Sequence, residues 1–200
     1  AVVEEEENFQ RPRGAAPACE ESSGLECGTN STTNTGFDTA LGRDATATGG
    51  DSTAVGKSSQ ATGLGSTAIG SEARAEGAQS TALGDDSVAN SDYATALGEN
   101  ADALAASATA VGQNAQAIGI YSIALGRNST ASSGGAIAIG GDGADANATG
   151  AQAIGAASVA IGEDATTDGT TATALGNDTR ATADFAGALG NTGDASAGRA

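Results

Sequence analysis

The chain has 200 residues, of which 31 are glycine, with no Trp, Met or His and only 2% aromatic residues. This small number of large side chains cannot fill a conventional globular core. Any core must therefore be thin and built from Ala, Thr and single columns of Leu, Ile and Val. The formal net charge of −17 argues against nucleic acid and anionic membrane surfaces as partners. No apolar run is long enough for a membrane span, so we expect no membrane insertion.

Residues 1–36 come first and show no repeat. They hold an acidic run, Glu4 to Glu7, and both cysteines of the chain, Cys19 and Cys27. In an exported protein, two cysteines this close in a loop-like stretch form one short-range disulfide. We therefore divide the chain into residues 1–36, a cap or a leader with one disulfide, and residues 37–200, a repeat domain.

A triplet of Ala, an apolar residue and Gly recurs every 14 residues through the repeat domain. The register breaks once, which predicts an insertion near residues 140–153. The break contains Gly140 to Asp145, half of a calcium-binding nonapeptide in a single copy, and we expect a surface loop there and no metal. The apolar members of the triplets are Leu41, Val55, Ile69, Leu83, Leu97, Val111, Leu125, Ile139, Ile161, Leu175 and Leu189.

One coil reads as strand, turn, strand, turn. The residues Ser52 to Val55 alternate small and larger side chains, which is strand periodicity. Gly and a polar pair such as Asp85 and Asp86 follow as a turn, and then comes a second strand with Ala101 and Ala103 at alternate positions. Because parallel strands stack about 4.8 Å apart, the pattern predicts an all-β parallel solenoid of about eleven stacked coils.

The first strand of each coil carries no charge on either side, although one side must face outwards. An uncharged strip along the length of a solenoid predicts contact with another copy of the chain. The alternation of side chains along the strand does not show which of its sides faces inwards. We favour the Leu, Ile and Val columns as the coil core. The oligomer seam is then a set of small residues that let backbones approach closely: Ala54, Ala68, Ala82, Ala96, Ala110, Ala124, Ala138, Ala160 and Ala174.

The repeat, for example Ser66-Thr67-Ala68-Ile69-Gly70 and Ser158-Val159-Ala160-Ile161-Gly162, resembles the YadA-like head of trimeric autotransporter adhesins. The resemblance covers about Gly36 to Ala197. It implies a left-handed parallel β-roll, a side-by-side homotrimer, and a secreted or cell-surface protein that binds extracellular matrix or a cell-surface ligand. Nothing in these 200 residues matches the neck, coiled-coil stalk and membrane anchor of that family, so we expect either an excised head or a complete protein that uses the same roll differently.

Function then has two main interpretations and a weaker third. The first is an adhesive head, and the second is a structural subunit that stacks end to end into extracellular filaments. The third, an ice-binding solenoid, would need repeated Thr-x-Thr pairs, and only isolated ones such as Thr46 and Thr48 occur. We expect no enzyme, no catalytic residue and no cofactor, because the carboxylates lie in turns where water keeps them solvated. Four sequons predict N-glycosylation sites at Asn30, Asn128, Asn147 and Asn177.

Overall fold

A computed structural model of the chain describes residues 19–21, 24–143 and 148–196. These residues form β-strands and turns and no helix. One sheet, sheet A, has 13 strands, and the other, sheet B, has 12. The predicted all-β parallel solenoid is confirmed. Within the described ranges there is no helix of the length and apolarity that a membrane span requires.

The strands are numbered in chain order. Sheet A consists of β1 (Cys19–Glu21), β2 (Leu25–Cys27), β4 (Thr39–Leu41), β6 (Thr53–Val55), β8 (Thr67–Ile69), β10 (Thr81–Leu83), β12 (Thr95–Leu97), β14 (Thr109–Val111), β16 (Ile123–Leu125), β18 (Ile137–Ile139), β20 (Val159–Ile161), β22 (Thr173–Leu175) and β24 (Gly187–Leu189). Sheet B consists of β3 (Thr32–Thr33), β5 (Thr46–Ala47), β7 (Gln60–Ala61), β9 (Arg74–Ala75), β11 (Val88–Ala89), β13 (Asp102–Ala103), β15 (Gln116–Ala117), β17 (Thr130–Ala131), β19 (Gln152–Ala153), β21 (Thr166–Thr167), β23 (Arg180–Ala181) and β25 (Asp194–Ala195).

Each coil adds one parallel strand to each sheet, in register with the coil before it. Leu83 of β10 pairs with Leu97 of β12, for instance, so each residue lies directly below its counterpart one repeat later. The exception is β1, which runs antiparallel to β2 at the end of sheet A. Cys19 and Cys27 pair across these two strands, and the predicted disulfide between them is confirmed.

The core is a stack of alanines between the two sheets. Its members are fully buried and come from the inward positions of both strands and of the residues beside them, as the alternation in the second strand predicted. They include Ala40, Ala54, Ala68, Ala82, Ala96, Ala110, Ala124, Ala138, Ala160 and Ala174 from sheet A, and Ala47, Ala61, Ala75, Ala89, Ala103, Ala117, Ala131, Ala153 and Ala181 from sheet B.

The prediction of which side of the first strand faces the coil interior was wrong. The Ala columns expected at an oligomer seam, from Ala54 to Ala174, lie inside the coil and have no surface to offer a partner. The apolar columns expected in the core face outwards instead, at Leu41, Val55, Ile69, Leu83, Leu97, Val111, Leu125, Ile139, Ile161, Leu175 and Leu189. Short turns hold the two sheets close together, so mostly Ala and Ser fill the space between them, and a column of Leu, Ile and Val has no room there.

The roll also begins earlier than the boundary expected at residue 36. Strand β2 already pairs in parallel with β4, so the coil that starts near Gly24 belongs to the solenoid. Later, Ile139 pairs with Ile161 and the insertion between them leaves the stack undisturbed. The insertion lies between Gly140 and Ala151, where the Ala151 N–H donates to the Gly140 carbonyl at 3.0 Å and closes the loop.

Three serines inside the coil offer a direct test of this packing. The hydroxyls of Ser66, Ser80 and Ser122 are buried and have no hydrogen-bond partner in the described part of the chain. Alanine fills the same column at Ala94, so it fits there. We expect Ser80→Ala to raise the free energy of unfolding by about 1 kcal/mol, because a buried unpaired hydroxyl is removed. Urea denaturation followed by circular dichroism measures this change.

The matched control for Ser80→Ala is Ser87→Ala, at another buried serine. The Ser87 hydroxyl donates to the Gly84 carbonyl at 2.9 Å. Its loss should lower the free energy of unfolding by about 1 kcal/mol, the usual contribution of one hydrogen bond. A loss of stability in Ser80→Ala as well would mean that its hydroxyl has a partner.

The first coil replaces the alanine core with paired polar side chains. Glu26 accepts hydrogen bonds at 2.7 and 2.8 Å from the N–H and hydroxyl of Thr33. Asp38, only 1% exposed, lies in the same inward column as Ser52 and accepts from its N–H and hydroxyl at 2.9 and 2.7 Å. Thr35 donates to Asp38 from its N–H and hydroxyl at 2.8 and 2.9 Å. At its N-terminal end, the alanine core is therefore covered by a layer of polar side chains that hydrogen-bond to one another.

The Asp38 carboxylate makes the stability of this coil depend on pH. Burial raises its pKa, but the hydrogen bonds from Ser52 and Thr35 outweigh burial and lower the pKa from 3.8 to about 2. A lowered folded-state pKa stabilises the fold above the unfolded value. We expect a contribution of about 2 kcal/mol near neutral pH, which is lost as the pH falls from about 4 through about 2.

The measurement is the free energy of unfolding of the wild type and of Asp38→Ser as a function of pH. Serine fills this column in the next coil, at Ser52, so the variant should fold. The difference between the two proteins should shrink as the pH falls through the acid range. A constant difference would contradict the role of the ionised carboxylate.

Candidate interaction surfaces

The outward side of sheet A, called face A, carries two uncharged columns along the whole roll. One is the apolar column from Leu41 to Leu189 described above. Leu83 is 45% exposed and Leu189 is 78% exposed. The other column contains Thr39, Thr53, Thr67, Thr81, Thr95, Thr109, Ile123, Ile137, Val159, Thr173 and Gly187. An apolar strip of this length is typical of a surface that contacts a partner.

The outward side of sheet B, called face B, is polar and contains a groove of about 520 Å³. Its lining residues are Ser58, Gln60, Glu72, Arg74, Asp86, Val88, Asn100 and Asp102. Burial raises the pKa of Asp102, and the Arg74 guanidinium acts in the opposite direction. Three carboxylates, Glu72, Asp86 and Asp102, line this groove, and the Glu72 carboxylate lies 3.5 Å from the Lys57 ammonium.

The second turn of each coil, which links sheet B to the next strand of sheet A, forms a separate edge called the turn-two corner. Its segments in the middle of the chain are apolar, with Leu104, Ile118, Ile120, Tyr121 and Ile154 all exposed. The other exposed aromatic residues, Phe37, Tyr93 and Phe185, lie on the same corner. No described aromatic residue contributes to the core.

The first turn of each coil forms the opposite edge, with left-handed Asn or Asp residues stacked at several levels. The Asn114 amide donates to Asn128 Oδ1 at 3.0 Å, and Asn128 Nδ2 donates to Asp142 Oδ2 at 3.1 Å. The Arg127 guanidinium lies 3.0 Å from the same Asp142 oxygen and fixes the start of the insertion.

Three of the predicted glycosylation sites, Asn30, Asn128 and Asn177, lie on this first-turn edge. The sequon that starts at Asn177 is partly buried. Its third residue, Thr179, is buried, and the Thr179 hydroxyl donates to the Gly176 carbonyl at 2.8 Å. Asn147 lies outside the described residues. Glycosylation at these positions stays a prediction.

The described residues give little chemistry to support catalysis or metal binding. They contain no group of three or more Cys, Asp or Glu side chains placed to hold a metal ion, and the chain has no His. The groove on face B is open and lined by turn and strand residues.

Comparison with known protein families adds to this geometry. A family model described as the YadA head domain repeat matches the chain at residues 28–59, 47–73, 61–87, 75–101, 89–115, 117–142, 153–179 and 168–191. The chain belongs to the YadA head family. The resemblance expected from the repeat is thereby confirmed, and YadA heads are adhesin-type structural domains of surface proteins. No curated protein matches the chain.

The interaction surfaces of this YadA head were only partly visible in its sequence. The uncharged first strand indicated face A, although its inward and outward columns were exchanged. The groove and the turn-two corner were missed, because each is made of residues from several coils. Aligning the coils one under another would have revealed both, since residues at equal positions stack.

Proposed function

We propose that this chain is the adhesive head of a homotrimeric surface protein, associated side by side through face A. The observation that carries the proposal is the continuous uncharged double column on face A, which a single chain leaves open to water. The family supports it, because YadA-like heads self-associate as homotrimers in general. Adhesion to extracellular matrix or to a cell-surface ligand is part of the same proposal.

Burial of face A favours association, and charge opposes it. The outward Leu, Ile and Val side chains gain about 25 cal/mol for each Å² of apolar surface that a neighbour covers. Each chain also carries a net charge of −17, so side-by-side chains repel one another. Salt screens that repulsion over about 10 Å at 0.1 M, so association should strengthen as salt rises.

The test is the molar mass of the 200-residue chain at low and high salt, measured by sedimentation or light scattering. We expect a trimer, and Leu97→Asp with Leu125→Asp should convert it to a folded monomer by placing charges in the seam. The matched control is Thr130→Asp on face B, where Asp102 already occupies the same column. The control should keep the trimer, and a wild-type monomer at all salt concentrations would overturn the proposal.

Electron microscopy of the same samples separates this function from the filament alternative. Short rods of uniform length support a discrete head, whereas long fibres of uniform width would support end-to-end stacking. Beads coated with the trimer should then attach to matrix-coated surfaces, and albumin-coated beads should not. Short rods without attachment to any matrix or cell surface would leave oligomerisation standing and contradict adhesion.

A further inference from the structure

The N-terminal end of the roll presents the edges of both sheets. Strand β2 of sheet A and strand β3 of sheet B belong to the first coil, and the second coil pairs with them on one side only, through β4 and β5. On the outer side, a coil of this kind offers N–H and C=O groups that no further coil uses. Such edges invite pairing with a strand of another chain.

On sheet A, strand β1 occupies the outer edge. The Leu25 N–H donates to the Asp38 carbonyl at 2.9 Å, on the side of the second coil. Because backbone groups alternate between the two sides of a strand, those of Glu26 point outwards. There Glu26 pairs with Glu20 of β1. Strand β1 runs antiparallel to β2, so it ends the series of parallel strands.

The disulfide keeps β1 in this place. Strand β1 has three residues and pairs with β2 alone among the described strands, and so short a ladder is weak by itself. The disulfide between Cys19 and Cys27 joins the two strands where these residues lie opposite each other. A covalent link removes most of the freedom of β1 to leave β2.

On sheet B, a side chain takes the position of a further strand. The Thr32 N–H donates to the Ala45 carbonyl at 2.8 Å, on the side of the second coil. The next N–H along β3, that of Thr33, therefore points outwards. It donates to the Glu26 carboxylate at 2.7 Å, and the Thr33 hydroxyl donates to the same oxygen at 2.8 Å. The carboxylate thus accepts the hydrogen bond that an added strand would otherwise accept.

Glu26 and Thr33 replace a pair of alanines that the next coil carries. Glu26 lies in the inward column of Ala40, and Thr33 lies in the inward column of Ala47. Their hydrogen bonds run between the sheets and tie the two edges together. A chain that stacked on this end would also bury the Glu26 carboxylate, and inward-pointing charges on edge strands are a common defence against such pairing.

We propose that β1, Glu26 and Thr33 form a cap that closes the N-terminal end of the roll to a second copy of the chain. A copy that met this end head to head would bring its own β2 antiparallel to this β2, and β1 already occupies that place. A filament that grows end to end needs this end at every joint or at every second joint. The cap therefore confines association to the sides of the roll, and this inference does not depend on adhesion or on the trimer.

The test removes the cap from a chain whose face A is blocked by Leu97→Asp with Leu125→Asp. The uncapped variant then carries four further substitutions: Cys19→Ser, Cys27→Ser, Glu26→Ala and Thr33→Ala. It should fold, since Ala40 and Ala47 form the same inward pair one coil later. Sedimentation should show dimers or larger species that grow with protein concentration, whereas the capped chain in the same background stays monomeric.

The matched control in the same background is Ser158→Ala with Thr167→Ala. These residues form a hydrogen bond of 2.8 Å between their hydroxyls inside the roll, far from its end. The control should keep the mass of the capped chain. Electron microscopy should show uncapped assemblies that are longer than the capped rods and equally wide. A folded uncapped variant with the mass of the capped chain overturns the proposal, and so do wider assemblies of unchanged length or long fibres of the unaltered protein.

Hydrogen exchange followed by NMR tests the cap in the unaltered protein and does not depend on the folding of the uncapped variant. The amides of Glu26 and Thr33 should exchange at least about a hundredfold more slowly than in an unfolded chain, because both are hydrogen-bonded at the end of the roll. In Cys19→Ser with Cys27→Ser, the Glu26 amide should exchange at least about tenfold faster, and the Ala117 amide in the middle of the roll should not change. Exchange of either end amide at the unfolded rate in the unaltered protein overturns the proposal.

Discussion

Replacing Ala96 with leucine should destabilise the protein by about 3 kcal/mol or more, because the added carbons have no space inside the coil. Ala96 is fully buried and pairs in register with Ala82 on one side and Ala110 on the other. A larger side chain there must push the two sheets apart or break the stack between neighbouring coils. Since each coil is supported only by its neighbours, one damaged coil weakens the whole roll.

The measurement is thermal and urea unfolding of Ala96→Leu, followed by circular dichroism. The matched control is Ala156→Leu, at the exposed turn-two corner, where Leu64 and Ile120 occupy the same column. The control should unfold as the wild type does. Wild-type stability in Ala96→Leu would mean that the alanine columns face outwards after all.

The glycine that ends each sheet A strand should be equally intolerant of change. Gly98 has a φ of 137°, and a Cβ added to it would lie 2.6 Å from the Gly112 carbonyl oxygen of the next coil. Backbone cannot move aside as a side chain can, and the conformation is strained for any other residue. We expect Gly98→Ala to cost about 3 kcal/mol or more of stability.

Gly134→Ala is the control for Gly98→Ala. The nearest atom to an added Cβ there is the Ile120 carbonyl oxygen at 3.8 Å, so alanine fits. Its free energy of unfolding should stay within about 0.5 kcal/mol of the wild-type value. Similar losses in both variants would show that the close approach of Gly98 to the next coil is not what limits substitution.

The strand-turn-strand-turn coil could be predicted from the sequence because the features that determine it are local and recur in every repeat. The spacing of Ala, an apolar residue and Gly sets the length of one turn, and the alternation of Ala with polar residues in the second strand says which side is buried. The family could be read for the same reason, since its model describes the same repeat. The disulfide followed from two nearby cysteines, Cys19 and Cys27.

The orientation of the first strand was decided only by the tertiary structure. Ala54 and Val55 belong to a strand with no polar side, so hydrophobicity does not distinguish inward from outward there. The distance between the sheets decides it, because a coil with short turns has space inside for small side chains, mostly Ala and Ser, and not for a column of Leu, Ile and Val. The turn-two corner depends on the structure in the same way. Leu104 and Tyr121 become neighbours only when successive coils stack, and sequence order alone does not place them on one exposed corner.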